Sequence, residues 1–449
     1  MKKIFQYIIL AVVTIVMASC TSDIEETTAT TGKSNVQLVV GEFPAFGDSQ
    51  TRAIGTPDAG KTSWAEGDEL LLEMTSKTLG TKYAAFTYNG SSWELTSGEL
   101  SYKEDEVPTF PHVYYAPNYK WEAGKLVLKE GKVAGTDEYI EGKANITPNG
   151  QAITVKFAEA TRNYSRLRIA TMPNKPITVS INEYTPAGSS DMKWDQNYAL
   201  TSDEKGNAYL YGTFENNSEV TVKYREAALT THTFSQATES AKSYALDATV
   251  ISANSAEEIK SAIEQKVADG KTTIRLNLAP NAGTNEFMAI REAIKGAAPN
   301  DLGTIELTII GVETIPEEAF YKMLQLKSVR MSDVKEIKKY AFKECQYLTV
   351  VEAPSLNKLY SGAFKKCDQL SKLTFGPINY ADERNWPIFE YITPNIDLIL
   401  SDYQKEMIET DDYLYTANND RDYAGSDEHN SKNFLGREFK SITCRYPVE

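Results

Sequence analysis

A 22-residue spacing near the C-terminus constrains this chain more than any other feature. The pair Ala319-Phe320 returns as Ala341-Phe342 and again as Ala363-Phe364. The surrounding apolar positions return with it: Ile315, Ile337 and Leu359; Met323, Cys345 and Cys367; Leu326, Leu348 and Leu370; Val329, Val351 and Leu373. One such unit cannot bury its own apolar face, so successive units stack and share a continuous core. Stacked units present broad surfaces more readily than enclosed catalytic clefts, which sets the expectation for function.

Within each unit the residues divide by face. In Leu326-Lys-Ser-Val329-Arg-Met331 the apolar side chains alternate inward, so Ser328, Arg330 and Ser332 should point to the concave side. Their stacked equivalents are Val350, Glu352 and Pro354, then Lys372, Thr374 and Gly376. Arg330, Val350, Glu352, Lys372 and Thr374 are therefore the candidate ligand-binding residues. The other half of the unit predicts a short helix carrying Phe320 and Met323 on one face, with Pro316 in its first turn. Cys345 and Cys367 fill the slot of Met323, as buried apolar spacers; stacking would also allow a disulfide between them. The L-x-x-L-x-L spacing is that of a leucine-rich solenoid. The run Ala-Phe-x-x-Cys-x-x-Leu, at Ala341–Leu348 and Ala363–Leu370, resembles the BspA-type leucine-rich repeat of surface proteins. That resemblance covers Leu307 to Ile378 and extends to the segment 252–449. It implies binding of a host extracellular protein or glycan.

The N-terminus predicts export. Lys2 and Lys3 precede an apolar run from Ile4 to Val16, then Met17-Ala-Ser-Cys20. A basic start, a short apolar stretch and small residues describe a secretory signal over residues 1–19, too short to span a bilayer of roughly 30 Å comfortably. Ala18, Ser19 and Cys20 resemble a lipobox, with Met17 in place of the usual Leu. The resemblance implies lipidation of Cys20 and attachment to the outer membrane by acyl chains alone. The acidic run after Cys20 resembles the surface-export signal of Bacteroidetes lipoproteins, and residues 20–34 read as a polar tether.

Between Asn35 and Val250 short strands follow one another, punctuated by turns such as Asn89-Gly90. This pattern predicts β-sandwiches, divided at 35–150 and 151–251. Thr51-Arg52, Trp64-Ala-Glu-Gly-Asp68 and Val113-Tyr-Tyr-Ala-Pro117 resemble marks of the fimbrillin (Mfa-like) family, with Ala116 interrupting the Tyr-Tyr-Pro run. The resemblance implies transthyretin-like tandem sandwiches. It also implies proteolytic processing at Arg52 and assembly with fimbrial subunits by strand addition; Arg52 as a fixed surface residue at a strand start is the other reading.

The expected fold is thus multidomain: all-β tandem sandwiches, fimbrillin or transthyretin-like, followed by a short α/β leucine-rich repeat solenoid over 252–449. That last segment opens with a helix capped near Ser255 and a second one around Asn285–Lys295.

Composition narrows the chemistry. A net charge of -15 argues against nucleic acid. Three His in 449 residues lower the expectation of a His-based metal or general-base site. No nucleophile elbow, phosphate loop or zinc signature is present, so neither a cofactor nor an enzymatic activity is expected. The acidic stretch Asp411–Glu428 resembles a Ca²⁺ loop, but Ala424 and Ser431 occupy positions where ligands belong. Between Thr314 and Phe375, ten Lys and one Arg face seven Asp or Glu. Lys335, Lys338, Lys339, Lys343, Lys365 and Lys366 form either a solvated face or a footprint for an acidic glycan or protein. The reading as a whole is a cell-surface lipoprotein adhesin. The alternatives are a pilus tip subunit, or a glycan-capture lipoprotein using exposed Tyr and Trp.

Overall fold

The computed structural model describes residues 37–44, 46, 61–102, 106–146, 152–157, 162–225, 227–253, 255–382, 387–401, 433–435 and 437–445. Cys20, Arg52 and the stretch Asp411–Glu428 lie outside them. The described residues are mostly strand, arranged in several sheets with two helices. Among them, no helix is long and apolar enough to cross a membrane.

The first sheet has seven strands in the order Gln37–Val40, Ala152–Lys156, Ile140–Ile146, Val113–Tyr115, Glu69–Ser76, Gly80–Tyr88 and Trp93–Gly98. All neighbours are antiparallel except the first pair, where Leu38 lies beside Ile153. Alternation in Glu69–Ser76 sends Leu70, Leu72 and Met74 into one core, while Leu71 packs on the opposite face with Tyr114 and Tyr119. Trp64 closes one end of that core. Its ring meets Phe43, Trp93, Tyr115 and Phe157 at 4.9 to 5.5 Å, and its indole N–H donates to the Gly41 carbonyl at 2.8 Å. Gly67 takes φ 90°, the left-handed conformation this turn needs, and its N–H donates to Tyr88 O. The Trp-x-x-Gly-Asp motif is thus architectural. Ala152–Lys156 belongs to this first sheet, so the chain changes sheet after Phe157 and not at the 150/151 division expected from the sequence. The run Gly150-Gln151 read as a break, but its flanking strands pair with each other.

The second sheet runs Ala227–Thr233, Glu219–Tyr224, Pro176–Pro186, Asn207–Phe214, Ser165–Ala170 and Ser243–Asp247, with Lys193–Thr201 paired to Pro176–Pro186. A buried polar knot joins it to the first. Arg162 reaches Glu138 through two contacts of 3.1 Å, Tyr164 donates to Glu138 at 2.5 Å, and the Arg162 guanidinium lies 4.0 Å from the Phe46 ring centroid.

The third sheet has eight strands, all parallel: Ile251–Ala253, Thr273–Leu278, Ile305–Ile310, Leu326–Arg330, Val350–Ala353, Lys372–Phe375, Asp397–Ser401 and Ser441–Arg445. Parallel neighbours need crossovers. The first two are helices, α1 (Ala256–Ala268) and α2 (Thr284–Ala297), and Ser255 caps α1 by accepting from Glu258 N–H at 3.3 Å. Beyond Ile310 the crossovers shrink to turns plus a second parallel ladder, Thr314–Ile315, Glu336–Ile337, Lys358–Tyr360 and Tyr380–Asp382.

The short helix expected around Phe320 does not form. Glu318, Tyr340 and Gly362, and again Lys322, Glu344 and Lys366, hold φ between 55° and 63°. Left-handed residues cannot continue a right-handed helix. They aim the N–H groups at the next repeat instead. Phe320 donates to Ala341 O, Phe342 to Ala363 O, Lys322 to Lys343 O, and Glu344 to Lys365 O, at 2.7 to 2.9 Å. Hydrogen bonds a helix would have kept within one unit thus tie neighbouring units together.

The second and third sheets are joined through side chains. Arg275 is buried, its Nε donates to Leu229 O, and its guanidinium lies 3.9 Å from Asp247. Ile310 packs into the core of the second sheet. Burial alone would push the Asp247 carboxyl up, but Thr249 donates to it through backbone and hydroxyl, and Lys266 and Arg275 add positive charge, so its pKa falls below the ordinary value. A depressed carboxylate contributes stability that is present above its unfolded pKa, near 4, and is lost as pH falls through the folded value. Stability at this joint should therefore decline below about pH 4, and Asp247→Asn should flatten that part of a melting-temperature-versus-pH curve.

Candidate binding surface

The register brings the predicted ligand-binding residues onto one face of the third sheet. Arg330, Glu352 and Thr374 are direct neighbours across three strands, and Val350 stands beside Lys372. Val351, Leu373 and Phe375 point to the other side, into the core. The charges are already paired. Arg330 Nε is 3.0 Å from Glu352, Lys372 Nζ is 3.9 Å from its other oxygen, and Lys327 reaches Glu306 at 2.8 Å. Asp397 extends the row, accepting from Ser441 at 2.6 Å and Lys440 at 3.0 Å.

Not every residue assigned to this face is open. Ser328 is buried, and so are Arg275 and Thr308 further along the same face, where the second sheet meets the third. Gly376 lies off the strand against backbone: an added Cβ would stand 2.5 Å from Pro354 O. The open part of the face therefore begins at Arg330 and runs toward the C-terminus.

Behind the face, one column of rings fixes the spacing. Phe320 and Phe342 stack at 5.1 Å, Phe342 and Phe364 at 5.4 Å, and Phe364 and Phe389 at 5.7 Å, the last pair only 8° from parallel. Phe287 of α2 closes the column at one end, and Phe434 and Phe439 close it at the other. Phe389 heads a further repeat that the sequence reading missed, because its step is 25 residues and Ile388 replaces the signature Ala. The alternation Ile396-Asp-Leu398-Ile-Leu400 was the available signal.

Cys345 and Cys367 are free, fully buried thiols in that core. Each donates to a phenylalanine carbonyl, Phe320 O and Phe342 O respectively, at 3.0 Å. Burial pushes the Cys345 thiol up to about 12 and that of Cys367 well above its ordinary value. Neither is a nucleophile at neutral pH.

Three lysines of the stripe sit in close ion pairs. Lys335 meets Glu313 at 2.6 Å, Lys338 meets Glu336 at 2.5 Å, and Lys365 meets Glu390 at 2.6 Å. The tryptophans separate as well: Trp64, Trp93 and Trp121 pack in aromatic clusters, whereas Trp194 is 66% exposed.

Residues 302–396 match the BspA type leucine rich repeat region, in six copies. The match spans the Phe column from Phe320 to Phe389 and every predicted ligand-binding residue. A solved structure from Bacteroides fragilis NCTC 9343, provisionally named a cell adhesion protein, is similar to 48% of this chain and 93% of its own, with 10% identity and a TM-score of 0.27. A superposition that loose supports no structural argument. No curated protein matches the sequence.

Proposed function

We propose that residues 252–449 form a leucine-rich repeat solenoid, and that the protein is a non-catalytic adhesin of the cell surface. In this reading Cys20 carries the lipid that holds it to the outer membrane, and the fimbrillin-like sheets carry the repeats away from the bilayer. The partner is a host extracellular protein or glycan. The observation that carries the reading is the open face from Arg330 onward: a parallel ladder with paired charges in fixed register, in a segment with the BspA-type signature. Such a face places binding groups without the ordering cost of mobile loops.

The test is an array of matrix proteins and glycans probed with the mature chain and with an Arg330→Glu, Lys372→Glu variant. Loss of a bound spot in the variant supports the reading. Binding that survives the variant moves the site elsewhere, and an empty array removes the adhesin reading. Cys20→Ala should release the protein from the outer-membrane fraction; retention there would count against the lipid anchor.

A further inference from the structure

The side of the repeats formed by the left-handed turns lies half a unit away from the open sheet face and carries a different chemistry. Lysines and tyrosines interleave there. Lys343 Nζ sits 5.1 Å from the Tyr321 ring centroid and 4.7 Å from that of Tyr340. Lys322 lies 5.1 Å from Tyr321, Lys339 4.8 Å from Tyr340, and Lys338 4.4 Å from Tyr360. Tyr360 packs against Tyr380 at 5.4 Å, and Lys365 is 5.7 Å from Tyr391. Tyr340 lies flat over Gly362, where an added Cβ would stand 2.5 Å from its ring.

A ring holds an ammonium without neutralising it. Several of these lysines also have carboxylates: Glu344 lies 3.5 Å from Lys322, Glu336 pairs with Lys338 and Lys358, and Glu390 pairs with Lys365. Among the described residues, Lys339 and Lys366 have no ion pair, and Lys343 has only Glu344 at the 4.0 Å limit. Three positive charges on adjacent units thus remain available, two of them steered by aromatic faces, and so lose less freedom on binding.

We infer that this turn side binds an acidic polysaccharide, one bearing carboxylate or sulfate groups along an extended chain. Charge complementarity selects a polyanion, and the neighbouring side chains select sugar over protein. Protein interfaces depend on buried apolar anchors. Among the described residues between 302 and 396, the exposed large hydrophobic side chains are Leu302, Tyr380 and Tyr391, and the two on this side are phenols that can stack on a sugar ring and hydrogen-bond its hydroxyls. The net charge of -15 gives no long-range attraction. Beyond about 8 Å at physiological salt that charge is screened, so binding reports the local patch.

The full-length mature protein is passed over immobilised heparin and, separately, hyaluronan. Retention on either, released by salt, is expected. The triple variant Lys339→Ala, Lys343→Ala, Lys366→Ala, at one exposed and two half-buried positions, should bind roughly tenfold more weakly, since near-surface ion pairs each contribute modestly. A triple variant at distant exposed positions, Lys205→Ala, Lys260→Ala, Lys271→Ala, removes the same charge and should bind as the parent does. If the first triple fails to fold by circular dichroism, the single Lys366→Glu variant carries the same test. Absence of retention, equal weakening in both triples, or retention on polyglutamate alone would each overturn the assignment. The Arg330→Glu, Lys372→Glu variant should retain heparin binding, which separates this site from the open sheet face.

Discussion

Replacing Phe342 by Ala should lower the unfolding free energy by about 3–5 kcal/mol, the usual cost of deleting a fully buried aromatic ring. Phe342 has no exposed surface and stacks between Phe320 and Phe364. Its neighbours are held at a fixed separation by hydrogen bonds from Phe320 to Ala341 and from Phe342 to Ala363, so they cannot close the cavity easily. Phe342→Leu should recover part of the loss. Urea unfolding followed by far-ultraviolet circular dichroism would measure both. A loss below about 1 kcal/mol for the Ala variant would mean that the column relaxes far more than its geometry implies.

Glu138→Ala should cost a comparable amount, about 3–5 kcal/mol, because removing one partner of a buried pair leaves the other charge uncompensated. The Arg162 side chain is almost wholly buried, and beyond Glu138 its remaining contacts include the Pro44 carbonyl at 2.8 Å and the Phe46 ring. Tyr164 also loses its acceptor. Glu138→Gln keeps the shape and an acceptor, and should cost less. The double variant Glu138→Leu, Arg162→Met should regain much of the stability, since apolar replacement of a buried pair is often neutral or better. A double variant as unstable as Glu138→Ala would place the cost in packing rather than in charge.

The repeated half of the chain was legible because its period is also its register. Ile315, Ile337 and Leu359 are adjacent in the second ladder, and Val329, Val351 and Leu373 are adjacent in the first. The turn conformation was not legible. Phe320 and Met323 have helical spacing, but Glu318 and Lys322 adopt a left-handed conformation that becomes favourable only when the next repeat accepts their hydrogen bonds. Ser328 alternates outward as expected and is nevertheless buried, because exposure depends on what packs against the strand. The sheet boundary failed for a different reason: Asn149-Gly150 read as a break between domains, whereas the strands on either side of it, Ile140–Ile146 and Ala152–Lys156, pair with each other as a hairpin signal of this kind allows.

The left-handed turns bear on how such a chain can change in length. Every repeat lends donors to the next and borrows acceptors from it, so a single inserted residue would misalign two ladders and the ring column together. Growth by duplication of one whole unit leaves every partner in place. The 25-residue step before Phe389 contains Tyr380–Asp382, the last rung of the second ladder among the described residues. Lys358 still faces Tyr380 at a spacing of 22, so the added length enters the sequence after that rung and leaves the ladder in register.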